Sequence, residues 1–128
     1  MSAMQRNKGA RGERELASLL TDRLGLIVKR RLGAARDGGH DIDLPGFALE
    51  VKRQDKPCIP HWWAQTVAQA EHDEVPALAY RLPRKAWRFR VPLYAVGLDV
   101  GGRDLNYTAE LTLDGFCALV RETLEVSA

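Results

Sequence analysis

Cysteine is scarce in this 128-residue chain: Cys58 and Cys117 are the only two, far apart and without CxxC spacing. His40, His61 and His72 do not cluster with them, which speaks against a zinc site and against a disulfide scaffold. A reducing, intracellular setting, expected to be the cytoplasm, fits that usage. No apolar run approaches the roughly eighteen residues of a membrane span, and residues 1–14 are too polar for an export signal. Repeats and low-complexity tracts are missing as well. The length suits a single domain over residues 1–128 with one core, its first eleven residues expected to be flexible.

Net charge is small, at +2, but unevenly placed. Residues 1–60 hold twelve Lys and Arg against eight Asp and Glu, and residues 61–128 hold seven against nine. The basic half also contains the densest group of acids. A polyanionic substrate, met by a metal at one point and by cations around it, would suit that pattern.

Those acids lie in residues 39–52. Period-two alternation there, with Pro45 and Gly46 in the middle, predicts two short strands joined by a turn. Ile42, Leu44, Phe47, Leu49 and Val51 share one face; Asp41, Asp43, Ala48, Glu50 and Lys52 share the other. A two-residue turn places Asp41 opposite Glu50 and Asp43 one diagonal step away. Three carboxylates on one face repel one another unless a cation sits among them, and Mg²⁺ takes one or two carboxylates while keeping several waters. Lys52 would then stand beside the metal, able to hold water or offset charge on a phosphate. A solvated polar face with incidental charges is the plainer alternative.

Around this hairpin, apolar spacing predicts a helix over residues 12–24, ended by Gly25, with Leu16, Ala17, Leu19, Leu20 and Leu24 inward. Glu13 continues that stripe and reads equally as a dipole-favoured residue at the core's rim or as part of a site. Residues 26–28 predict a first strand, followed by Lys29, Arg30 and Arg31 and a small-residue loop from Gly33. A second helix is expected at residues 61–73, with Trp63, Val67 and Ala70 packing and Trp62, Gln65, Gln69 and Asp73 on another face. Residues 75–81 and 91–96 read as strands and residues 99–110 as a loop. Five basic residues interleaved with Trp87 and Phe89 in residues 81–90 read as a nucleic-acid contact or as a charge-protected edge strand. A last helix falls at residues 113–124. The order is that of an α/β protein with a mixed sheet of about five strands flanked by helices.

Gly9, Gly12, Glu13, Arg14, Glu15 and Leu16, then Asp43, then Glu50, Val51 and Lys52 together resemble the PD-(D/E)XK nuclease superfamily. More narrowly, they are similar to the archaeal-type Holliday junction resolvases and their phage and bacterial relatives. The resemblance covers residues 8–53 well and the remainder in element order only. It implies a restriction-endonuclease-like core and a structure-selective DNA endonuclease dependent on Mg²⁺, with Mn²⁺ able to substitute. It further implies a homodimer cutting a four-way junction symmetrically, with no membrane association. By the same resemblance Glu13, Asp43 and Glu50 hold the metal with the Val51 carbonyl, and Lys52 is the catalytic lysine. Arg14, Arg30, Arg31, Arg36 and Arg53 would handle the DNA backbone, and Gln65 and Gln69 would support. The proline of the motif is replaced by Ile42, and Asp41 is an extra acid able to replace or assist Asp43. Nicking, flap or restriction-like cleavage, a non-catalytic DNA-binding module and an unrelated α/β interaction domain are the rival readings.

Overall fold

The computed structural model describes residues 3–31, 40–99 and 101–127. Helix α1 (Ala3–Leu24) opens it, starting well before the expected position at Gly12. Its turns before Gly12 are polar, so they carry no apolar period to announce them. The helix stops at Gly25, whose φ of +72° is the left-handed conformation that closes a helix. The first strand, β1 (Lys29–Arg30), falls on the basic pair rather than on residues 26–28. Val28 is buried but Ile27 is 77% exposed, so that apolar run belongs to a connection.

Strand β2 (Ile42–Leu44) turns through Pro45 and Gly46 into β3 (Phe47–Arg53). Leu44 pairs with Phe47 and Ile42 with Leu49, which is the two-residue connection expected. Gly46 has φ +82°, the value a type II turn requires at its second central residue. Helix α2 (Ile59–Gln69) then carries the chain over the sheet to β4 (Val75–Arg81), which pairs parallel to β3 along its whole length. Strand β5 (Arg88–Pro92) follows, then a 3-10 turn (Leu93–Val96), strand β6 (Thr108–Leu111) and helix α3 (Leu113–Ser127). All other pairings are antiparallel, in the order β1-β2-β3-β4-β5-β6.

Six strands thus replace the five expected. The sixth, β6, lies where a loop is expected, because its four residues of mixed polarity give no strand period. Residues 93–96 form the 3-10 turn in place of the strand expected there, because Pro92 ends the ladder.

The two sheet faces are unlike. On one, Ile42, Leu44, Phe47, Leu49, Val51, Ala77, Ala79, Phe89 and Val91 meet Leu16 and Leu20 of α1 and Phe116 and Val120 of α3. Phe116 stacks on Phe89 with centroids 4.4 Å apart and sits edge-on to Phe47 at 5.5 Å. Thr112 anchors α3 against this face, its Oγ1 accepting the Gly115 N–H at 3.1 Å. On the other face α2 buries Trp62 and Trp63 against Leu78 and Tyr80. Trp62 therefore packs inward beside Trp63, instead of sharing an outer face with the glutamines. That helix shields the side of the sheet carrying Glu50 and Lys52.

Phe116 is fully buried between two rings, so its removal leaves a cavity that neither neighbour can fill. Phe116→Ala is expected to lower stability by about 3–5 kcal/mol in urea unfolding. A loss below about 1 kcal/mol would mean the α3 contact contributes little.

Candidate active site

Asp41 lies one residue before β2, and its N–H donates to the Leu49 carbonyl at 3.0 Å. That bond holds Asp41 at the end of the ladder, past the Ile42–Leu49 pair, next to the stretch that carries Glu50. The Asp41 carboxylate turns back into the sheet, where Oδ2 accepts the Val51 N–H at 2.8 Å. Beyond the end of β2 this N–H has no strand partner, so a buried aspartate supplies one, in a charge-assisted bond. Asp41 is 6% exposed and Glu50 7%. Lys52 follows two residues on, on the same face, half-buried and without an ion pair among the described residues. Two buried carboxylates and an ammonium thus share one short stretch of sheet.

Asp43 lies on the same face, but its side chain is 64% exposed. Its Oδ1 sits 3.2 Å from His40 Nε2 and 3.6 Å from Arg31 Nε, a surface cluster outside the shielded part of the sheet. His40 itself is buried, with Nδ1 3.8 Å from Glu74. Of the two aspartates, Asp41 is the buried one, bonded to the Val51 N–H next to Glu50.

Glu13 is buried on α1, where Oε1 takes Arg30 Nη2 at 3.2 Å and Nε at 3.3 Å. An inward carboxylate of the first helix is thereby tied to the edge strand. Among the described residues no three His, Cys, Asp or Glu side chains lie close enough together to hold a metal ion. Asp41, bound to the Val51 N–H, and Glu50, the residue before Val51, are both buried carboxylates, and the Val51 carbonyl points to the same edge as its N–H. Such oxygen donors suit a hard divalent cation that keeps most of its waters.

Gln65 is half-buried on α2 with Oε1 buried and accepting no hydrogen bond, and Gln69 is half-buried one turn on. Arg14 is exposed. Arg53 lies on the α1 face, its Nη1 3.9 Å from Glu15, which also binds Arg81. Arg36 and the loop from Gly33 lie outside the described residues.

A polar row beyond Lys52 escaped sequence reading. Lys52 pairs with Tyr80 and Tyr80 with Arg88, while Glu50 pairs with Leu78, Leu78 with Arg90 and Arg90 with Glu110. The Tyr80 hydroxyl donates to Glu110, and Arg90 Nη2 lies 3.6 Å from the same carboxylate. Burial first, then the hydrogen bond to Glu110, pushes the Tyr80 phenol up to about 12. The alternation of Leu78 with Tyr80 and of Arg88 with Arg90 was visible in sequence, but the register joining them to Lys52 was not.

Residues 4–100 match the family described as "phage putative PDDEXK endonuclease". No curated protein sequence matches the chain. Among solved structures it is similar to Hjc of Archaeoglobus fulgidus, a Holliday junction resolvase from an archaeal hyperthermophile. The TM-score is 0.51 at 20% identity, over 88% of this chain and 98% of that one. The likeness establishes a shared restriction-endonuclease-like fold.

The folded chain favours the protonated Tyr80 phenol. This stabilisation is complete below pH 10 and is lost as pH rises towards 12. Tyr80→Phe should flatten the fall of stability between about pH 9.5 and about pH 11.5, followed by urea midpoints at each pH. Parallel curves for the two proteins would contradict the raised phenol.

Proposed function

The chain belongs to the phage PDDEXK endonuclease family, and from that premise we propose a structure-selective DNA endonuclease dependent on Mg²⁺, acting on four-way junctions as a homodimer. The observation that carries the reading is the buried Asp41 carboxylate bound to the Val51 N–H, next in chain to buried Glu50 and to Lys52 two residues beyond it. Binding alone does not call for buried carboxylates facing a phosphate; a cation-assisted hydrolysis does.

Asp41 and Glu50 would hold the cation with the Val51 carbonyl, and Mn²⁺ would be accepted by the same oxygens. Bound there, it supplies Lewis-acid polarisation of the phosphodiester and lowers the pKa of water. The Val51 N–H fixes one oxygen of Asp41 and so orients the other. Lys52 places a positive charge where the pentacovalent phosphate gains negative charge, or orients the attacking water. Glu13 is too strongly engaged by Arg30 to be a principal ligand, and its reach to the site would be through water. Asp43 is assigned a peripheral role, holding His40 and Arg31 at the hairpin's outer end. Gln65, with its unfilled acceptor, would take a hydrogen bond from ordered water or substrate.

Arg14, Arg31, Arg53 and, from the loop outside the described residues, Arg36 would meet the DNA backbone, with Arg30 behind them. Their contacts make affinity fall with salt. The junction preference is supported by the fold shared with a resolvase. Each chain carries one such site, and a two-fold substrate needing two cuts calls for two chains. Among the described residues no helix is long and apolar enough to cross a membrane. The proposed place of action is the cytoplasm of a bacterial or infected host cell.

Asp41→Asn and Lys52→Ala are each expected to slow Mg²⁺-dependent cleavage more than about a hundredfold while DNA binding persists. Asp43→Asn should stay within about tenfold of wild type, because its carboxylate faces solvent. A four-way junction, a flap and a linear duplex of matched length, assayed with Mg²⁺ or EDTA, complete the test. Paired symmetric cuts confined to the junction support a resolvase. Equal cutting of duplex or flap keeps the nuclease and removes the junction preference, and binding without cutting defeats the enzyme reading.

A further inference from the structure

Arg53 and Arg81 stand side by side at the C-terminal ends of the parallel strands β3 and β4. Both turn to the α1 face, where Arg81 binds Glu15 and Arg53 Nη1 lies 3.9 Å from the same carboxylate. Gly12 lets the arginine stem pass, since a Cβ there would meet Arg53 Cβ at 2.9 Å. One carboxylate therefore serves two guanidinium groups. Arg84 adds a third from the turn at residues 82–85. The turn is closed by Lys85 N–H on the Leu82 carbonyl at 3.1 Å and by Arg81 Nε on the Lys85 carbonyl at 2.9 Å. Arg84 holds φ +62°, uncommon for a residue with a side chain, and makes no ion pair among the described residues.

Arg53, Gln54, Arg81, Leu82, Pro83 and Arg84 line a cleft of about 160 Å³. Three cations against one acid leave it strongly positive, and nothing in its lining is an anion. At about 30 Å³ of liquid volume per water, the space holds roughly five waters. That is room for a phosphate group. Guanidinium forks match phosphate oxygens in pairs, and the Gln54 amide adds a neutral donor.

We propose that this cleft is a phosphate subsite that grips the DNA backbone at the C-terminal edge of β3 and β4, away from the phosphate that is cut. The proposal rests on the nuclease reading and deepens it. Arg53 and Arg81 turn to the face of the sheet opposite Lys52 and its partner Tyr80. The gripped phosphate is therefore a different one from the phosphate facing Lys52. Glu15 keeps Arg53 and Arg81 in place for it, and Arg84 closes the third side.

The test uses the full chain and the DNA it cleaves best, carrying a single neutral methylphosphonate at each position in turn. Affinities are measured in EDTA for wild type and Arg84→Gln across a salt series. For wild type, one substitution away from the cut phosphate should weaken binding about tenfold or more. In Arg84→Gln that penalty should shrink, with Arg53 and Arg81 still in place, and the slope of log affinity against log salt should fall by about one. Arg84→Lys should recover the slope but not the full affinity, since an ammonium lacks the fork. Penalties that simply add at every position, or an unchanged salt slope, overturn the subsite while leaving cleavage and the nuclease reading intact. A wild-type protein that neither binds nor cuts DNA defeats both together.

Discussion

The bond from the Val51 N–H to the Asp41 carboxylate ties together the two things this hairpin must do. It closes the open end of the β2–β3 ladder, where a buried amide would otherwise lack an acceptor. It also fixes the orientation of a buried aspartate next to Glu50. A slip of one residue in the ladder would turn Ile42 and Leu49 out of the core and bring the acids into it. Register is therefore defended by the apolar face, with the turn at Gly46 as its start and Asp41 as its finish. Function on one side of the sheet is held by packing on the other.

Outside the hairpin, the fold supplies reach. Helix α1 brings Glu13 to Arg30 and Glu15 to Arg53 and Arg81, so two neighbouring acids of one turn anchor arginines of different strands. Gly12 is what allows the helix to approach β3 that closely. Helix α2 covers the opposite face with two tryptophans, which excludes water from Leu78 and Tyr80 and leaves Glu50 and Lys52 at the margin of a shielded region. A carboxylate pair at such a margin is screened less than on an open surface, and its attraction for a cation is correspondingly stronger.

Much of this was legible in the residues. The period-two alternation and the Pro45–Gly46 break gave the hairpin and its register, and the face shared by Asp41, Glu50 and Lys52 follows from that alternation alone. The choice between Asp41 and Asp43 did not follow, because both lie on the same face by parity. Burial separates them, and burial is set by packing between elements that local alternation does not specify. Likewise β6 was unreadable, since its residues gain strand structure only by pairing with β5. The row from Lys52 through Tyr80 to Arg88 needs the alignment of three strands, two of them joined through a parallel crossover that no local pattern specifies. Trp62 and Trp63 were separable by helical spacing only if one face of α2 were exposed; a helix lying flat on a sheet buries adjacent residues on both flanks of its stripe.

The account turns on a cation held between Asp41 and Glu50. Crystals of the wild-type protein soaked in Mn²⁺, with anomalous difference density recorded at the manganese edge, address that directly. A single strong peak bounded by Asp41, Glu50 and the Val51 carbonyl is the predicted result. A peak at Asp43 and His40 in its place, or none at millimolar Mn²⁺, would contradict it.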